Sequence, residues 1–418
     1  MRLSLLAVTH TERALTEVMR FSAPTDSVLS RYFRTHHKIG SREREAITEG
    51  IYAVLRHRLF FANCAESGSG PAMRRLALLG LAEFAGIDAL PALSEEEVAW
   101  LSRMQSIDRM QLSPRMRADM PEWIFERLIA QYGEAETLLL ADSLNRPASL
   151  DIRINTVKAR REEVVSGLDN LPTEWESMPY APAGLRLKRK IALRDTNLFK
   201  CGAIEVQDEG SQLLAQIVGA KRGEMVADFC AGSGGKTLAM GAFMRNTGRL
   251  YAFDTSDKRL AKMKPRLARS GLSNVYSIHI AHERDTRIKR LAGKLDRVLV
   301  DAPCTGLGTI RRNPDMKWRQ SPQTLCELVQ RQCAILNAAA SLVKPGGRLV
   351  YATCSFLSEE NEDVVRAFLE KHLHFTLRSA KEVLAEQKIH MDMGDFLRLF
   401  PHRHQTDGFF AAVLERAE

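Results

Sequence analysis

Leu299-Val300-Asp301-Ala302-Pro303-Cys304-Thr305-Gly306 reads as a buried strand that runs into an acid, a proline and a cysteine. A second apolar run, Arg348-Leu349-Val350-Tyr351-Ala352, ends in Thr353-Cys354-Ser355. As strands of one sheet, the two runs would each deliver a cysteine to the same edge. The sulfurs would then face each other across a base-sized gap, with Asp301 beside it. Upstream, Asp228-Phe229-Cys230-Ala231-Gly232-Ser233-Gly234-Gly235-Lys236 reads as a strand end followed by a glycine-rich turn. Such glycines let the backbone approach a ligand closely and open the next helix. Around these three stretches, Glu224–Cys230, Leu250–Asp254, Val275–Ile280, Asp296–Asp301, Arg348–Ala352 and Phe409–Leu414 are strand candidates, most of them separated by helical patterns. Strand–helix alternation of this kind predicts an α/β domain, Rossmann-like, with a doubly wound and largely parallel sheet. Ligands in such sheets sit outside the carboxyl ends of the strands, where every motif above falls.

The glycine turn is not a P-loop, because Cys230 stands where that motif needs its first glycine. Asp254 ends the next strand and is placed to accept from ribose hydroxyls. A glycine turn with such an acid also describes dinucleotide binders, and the cysteines decide between the two. Cytosine C5 is too weakly nucleophilic to take a methyl group directly. A thiolate adding at C6 activates it, and a second group must then remove the C5 proton. An acid can hold the N3–N4 edge of the base and stabilise the adduct. Two cysteines and an aspartate beside a nucleoside pocket match that need. A single buried cysteine is more often core packing, the reading given to Cys64, Cys201, Cys326 and Cys333. Cys304 and Cys354 differ because both follow strands and sit among Pro, Thr, Ser and Gly.

With 45% apolar residues in 418, a normal core is expected. The seven cysteines include no Cys-x-x-Cys pair, which argues against a disulfide framework or zinc module and for a reduced, cytoplasmic setting. No metal is expected: His279, His282, His402 and His404 show no ligand spacing with nearby acids. No stretch reads as a membrane span, since Leu76–Leu93 carries Glu83 and Asp88. The net charge of +9 is concentrated over 211–418, where 32 Lys and Arg face 22 Asp and Glu. That excess suits a polyanion, nucleic acid first, or is simply a solvated surface.

Residues 1–140 read as helical. Ser41 is placed to cap Arg42–Arg58, whose Ile47, Ile51, Val54 and Leu55 form one stripe. Met73–Phe84, a helix capped by Ser94, and another opening at Pro121 follow. Leu150–Asn155 alternates like a half-buried strand, Arg160–Leu168 fits a short helix, and Leu185–Lys190 is a strand with a basic polar side. That side would contact phosphates or blunt a solvated edge.

In Gln207-Asp208-Glu209-Gly210-Ser211-Gln212, Asp228–Thr237, Asp301–Gly308, Arg311–Trp318, Tyr351–Ser355 with Glu360-Asn361-Glu362, and Asp407–Phe410, the chain resembles the RsmB/Sun-type RNA cytosine-C5 methyltransferases. The resemblance implies S-adenosylmethionine as methyl donor, Cys354 as nucleophile, Cys304 assisting release, and Asp301 contacting the base and the donor side. It implies that Cys230, Ala231, Gly232, Ser233, Gly234, Gly235 and Lys236 hold the methionine end of the donor and Asp254 its ribose. The family has Ala-Pro where Gly232-Ser233 stands here. It expects an aspartate, for the adenine amino group, where His282 stands; Glu283, Asp285 or backbone could take that part. Arg311, Arg312 and Lys317 are candidate RNA contacts, and Trp318 either stacks on a base or anchors its segment. The implied architecture is a class I methyltransferase domain over 206–418, a small α+β RNA-binding subdomain over 141–205, and an all-α NusB-like domain over 1–140. The implied partner is RNA, small-subunit ribosomal RNA first, and a monomer is expected. The alternatives are the same chemistry on transfer RNA or large-subunit RNA, and a non-catalytic RNA-binding assembly factor that keeps the fold.

Overall fold

The computed structural model describes residues 2–189 and 191–418. Lys190, the last residue of the expected basic strand, lies outside them. The chain divides into two compact units, 1–147 with 309–322, and 148–308 with 323–418. The expected border near 140 therefore falls at Pro147, and a short later segment joins the first unit.

That first unit is helical. Ser41–Arg56 fully buries Ile47, Ile51, Val54 and Leu55, as their spacing requires. Ser41 is the first residue of this helix, not its cap, which is Gly40. Glu95–Gln105 opens on a reciprocal cap in which Ser94 and Glu97 each bond the other's backbone N–H. From the segment 309–322, Trp318 packs on the helical core and donates its indole N–H to Leu55 O at 2.7 Å. Of its two sequence readings, the anchor is the one observed.

The second unit holds two sheets. The smaller comprises β1 (Leu150–Ile154), β2 (Trp175–Ser177), β3 (Gly184–Leu187) and β4 (Ile204–Val206), in the antiparallel order β2-β3-β1-β4. The expected basic edge is corrected here, because β3 is an inner strand. Arg186 lies opposite Asp151 on β1, makes two bonds to that carboxylate at 2.9 and 3.0 Å, and is buried. Lys188 is exposed and pairs with Glu174 at 2.8 Å. Arg266 and Arg269, on the helix Asp257–Ser270, both bind Glu205 of β4, while Asn155 donates to Gly202 O and Ser270 O. These bonds join residues 148–205 to the rest of their unit.

The larger sheet comprises β5 (Met225–Asp228), β6 (Arg249–Asp254), β7 (Val275–His279), β8 (Leu295–Asp301), β9 (Val343–Thr353), β10 (Phe375–Arg378), β11 (Leu397–Leu399) and β12 (Phe409–Arg416). Its order is β10-β12-β9-β8-β5-β6-β7, with β11 beside β12. The pairs from β9 through β7 are parallel, and β12 runs antiparallel to β9, β10 and β11. This is the doubly wound class I methyltransferase sheet. Strand order reverses between β5 and β8, which makes their carboxyl ends the natural ligand crevice. The central strands are buried on both faces, so their Val, Leu and Ala runs are continuous rather than alternating.

Candidate functional site

The strands β5, β8 and β9 lie side by side and parallel, so the three sequence motifs emerge at one edge. Cys304 and Cys354 are both half-buried, with their sulfurs 3.3 Å apart. The Cys354 N–H also points at the Cys304 sulfur, at 3.3 Å. The expected base-sized gap between the sulfurs is thus corrected: they touch, so a base would lie beside the pair. The approach depends on two glycines. Gly308 N–H donates to Cys354 O at 2.9 Å and Gly408 N–H to Gly308 O at 2.8 Å. A Cβ on Gly308 would stand 2.1 Å from Gly408 O. The hydrogen bond and charge of Cys354, with burial, push the Cys304 thiol well above the ordinary thiol range. Cys304 therefore keeps its proton while its neighbour is free.

Asp301 ends β8. Its carboxylate takes the Lys236 ammonium at 2.6 Å. Burial pulls the pKa of Lys236 down, but the charge and hydrogen bond of Asp301 outweigh it, so the ammonium persists. Lys236, read from sequence as a donor-binding residue, thus stands on the aspartate that the sequence assigned to the base.

In the glycine turn, Asp254 accepts from Gly232 N–H at 2.8 Å and from Ser256 N–H at 2.7 Å, which ties the turn to the end of β6. Gly232 has φ +56°, and a Cβ there would find nothing within 4 Å. Gly234 and Gly235 start the helix Gly235–Phe243, Ala231 N–H donates to Phe253 O, and Ser233 O accepts from Arg266. Cys230 packs against the sheet core, and burial pushes its thiol well up. Asp228 is fully buried. One of its oxygens accepts from Thr237 at 2.7 Å, the other has no partner among the described residues, and burial raises its pKa to about 7. The open space over Gly232 lets a ligand approach the backbone of the turn closely.

After β7, His282 is exposed and its ring accepts from Arg284 N–H at 3.1 Å. Asp285 is committed to the backbone N–H groups of Ala281 and Arg287, at 3.0 and 2.9 Å. Lys317 is corrected as an RNA contact. It is 1% exposed, and its ammonium donates to Arg56 O at 2.7 Å, to Asp119 O, and to Asn145 Oδ1 at 2.9 Å. No phosphate reaches a cation so enclosed. Arg311 is also buried and Arg312 half-buried, and both already hold partners.

Sequence reasoning assigned no role to Glu360, Asn361, Thr305 or Gln332, which brace the two cysteine loops. The available signal was an acid followed by asparagine shortly after Cys354, in a run that otherwise looks like the acidic start of a helix. Among the described residues no group of three or more His, Cys, Asp or Glu could hold a metal ion, and no helix is long and apolar enough to cross a membrane.

The family described as 16S rRNA methyltransferase RsmB/F matches residues 215–415, and the ferredoxin-like domain of RsmF/B-like methyltransferases matches 120–194. A probable ribosomal RNA small subunit methyltransferase B from Synechocystis sp. is 32% identical over 96% of this chain and 98% of its own length. A relative named the same way, from Bacillus subtilis, is 33% identical over 71% of this chain and 66% of its own length. Among solved structures, that of PH0851 superposes with a TM-score of 0.78 at 27% identity, covering 100% of both chains. A methyltransferase homolog from Pyrococcus horikoshii reaches 0.63 at 28% identity, covering 74% of this chain and 100% of its own. Identity of 32% over nearly the whole of both chains, with the family match over 215–415, leaves one assignment: the chain belongs to the RsmB/F family of 16S rRNA methyltransferases.

Proposed function

We propose that this methyltransferase transfers a methyl group from S-adenosylmethionine to C5 of a cytosine in small-subunit ribosomal RNA, through a covalent bond from Cys354 to C6. The observation that carries the reading is the thiol pair, with sulfurs 3.3 Å apart at the ends of adjacent strands, one of which also carries Asp301. Nothing in ordinary core packing calls for two touching, half-exposed thiols beside a lysine–aspartate pair.

The Cys354 thiolate adds to C6, forming an S–C bond and moving the C5–C6 π electrons toward C5 and the ring. Asp301 accepts from the amino edge of the base, and the Lys236 ammonium offsets the negative charge that develops. S-adenosylmethionine, when bound, would supply a sulfonium methyl to the activated C5, the electron pair of the broken S–CH3 bond staying on its sulfur as a neutral thioether. Once the Cys354 sulfur is bound to C6, it no longer carries the charge that helps hold the proton on Cys304. Cys304 then loses that proton to solvent and removes the one on C5. The C5–H electrons restore the double bond, the S–C6 bond breaks, and Cys354 leaves as thiolate.

The donor would lie over Gly232–Gly235, with Asp254 accepting from its ribose hydroxyls. The target base must leave any stack to reach Cys354, so an exposed RNA loop is the favoured substrate. The names of the relatives support ribosomal over transfer RNA. Arg312, still partly exposed, remains a proposed RNA contact. The test is Cys304→Ala incubated with unmodified small-subunit RNA and donor. A denaturing gel should show a stable protein–RNA adduct, lost again in Cys304→Ala/Cys354→Ala. Absence of an adduct in the single variant would sink the assignment of roles.

A further inference from the structure

The loops that carry Cys304 and Cys354 come from different strands, yet two consecutive residues hold both. On the Cys304 side, Thr305 N–H donates to Glu360 Oε1 at 2.8 Å and Thr305 Oγ1 donates to Glu360 Oε2. Gln332 Nε2 bridges Glu360 Oε1, at 2.9 Å, and Pro303 O, at 3.0 Å. On the Cys354 side, Thr353 Oγ1 donates to Asn361 Oδ1 at 2.5 Å and Asn361 Nδ2 donates to Ser355 O at 3.1 Å. The hydroxyls of Thr305 and Ser355 meet at 3.2 Å, and Tyr351 donates to Glu360 O at 2.6 Å. Glu360, Thr305, Gln332 and Thr353 are fully buried, and Ser355 and Asn361 nearly so.

A carboxylate this deep is costly unless its acceptors are filled, and an apolar side chain would pack at less cost. What Glu360 provides is a fixed grip on the backbone of the residue after Cys304. Asn361 grips the residues on both sides of Cys354. One short segment thus supplies a separate grip to each loop. We infer that Glu360 and Asn361 are a pair of positioning residues that set the separation and aim of the two sulfurs, Glu360 acting through Cys304 and Asn361 through Cys354. The inference rests on the roles proposed above for those cysteines.

The two residues should therefore fail in opposite directions. Glu360→Gln keeps one acceptor oxygen but replaces the other with an amide NH2 and removes the charge, which weakens the charge-assisted hold on Thr305. It is expected to lower turnover at least about tenfold while covalent RNA adduct accumulates, since release depends on a positioned base. Asn361→Ala is expected to lower turnover without accumulation. In the Cys304→Ala background, Glu360→Gln should leave adduct formation unchanged and Asn361→Ala should reduce it about tenfold or more. General loosening of the fold would lower both alike. Thr305→Val, which removes a single side-chain bond, should show the Glu360→Gln pattern more weakly, and it serves if Glu360→Gln does not fold. The assay uses the full-length chain with unmodified small-subunit RNA and S-adenosylmethionine, read on denaturing gels and by methyl incorporation. If Cys304→Ala alone traps nothing, the chemistry itself is wrong and the inference falls with it. If Cys304→Ala traps adduct but both positioning variants change it alike, the chemistry stands and the inference fails.

Discussion

Asp228 is buried at the end of β5 with only one of its oxygens answered, by Thr237. Its pKa of about 7 lies well above the ordinary carboxylate value, so between roughly pH 4 and pH 7 the folded state keeps a proton that the unfolded chain has lost. Stability from this group is present at low pH, declines as pH rises through that window, and stays reduced above about 7. Asp228→Asn keeps a carbonyl oxygen for Thr237 and removes the buried charge. Without donor it should be more stable than the parent at pH 8, by up to roughly 4 kcal/mol before relaxation, and so melt higher, with the gain largely gone at pH 4. Equal shifts in thermal melts at the two pH values would refute the idea. At this scale the sequence spoke clearly about Cys304, Cys354 and Asp301, because each breaks an apolar run at a strand end. It said less about Lys236, whose place beside the glycines pointed to the donor while its long side chain reaches Asp301. It gave no role to Glu360 or Asn361, since a hydrogen bond to a loop distant in sequence leaves no trace in local pattern.

Among the elements, the inner parallel strands β5, β6, β8 and β9 were legible because burial makes them largely continuous apolar runs. The short outer strands β10 and β11 were not, since Phe375–Arg378 and Leu397–Leu399 are too brief to show a period. The basic strand β3 misled for a related reason: its charge was visible, but not that Asp151 would stand opposite Arg186 in register. The segment Arg311–Arg319 misled in the same way. Lys317 reads as a surface cation, yet its ammonium donates to three oxygens. Burial lowers its pKa to about 8, which marks a group held for its donors rather than displayed for its charge. Lys317→Ala should therefore destabilise the helical unit by roughly 2–4 kcal/mol, by stranding buried acceptors. The salt dependence of RNA binding by the folded variant should stay as in the parent. A phosphate contact would predict the converse, a shallower salt slope with unchanged melting.

Over the whole molecule, the division into units does not follow chain order, because residues 309–322 belong with 1–147. A linear reading places boundaries at changes of composition and has no means of seeing a segment that returns to an earlier unit. The physical reason lies in what residues 1–147 lack alone. Trp318 packs against their core and bonds Leu55 O, Asp315 accepts from Thr25 N–H at 3.2 Å, and Lys317 answers Arg56 O, Asp119 O and Asn145 Oδ1. Without the segment, a large aromatic leaves an apolar site exposed and several buried polar groups lose their partners, each loss costing about 1–3 kcal/mol. That total is comparable with the whole stability of a small helical unit. Residues 1–147 expressed alone are therefore expected to be helical by far-ultraviolet circular dichroism but to melt early and broadly. Adding a synthetic peptide of residues 309–322 should raise the melting temperature in a concentration-dependent way, as binding to the folded state requires. A peptide with Trp318→Ala and Lys317→Ala should not. A sharp, high melt of residues 1–147 that ignores the peptide would mean the helical unit is complete without it, and that the segment's contacts add nothing to its folding.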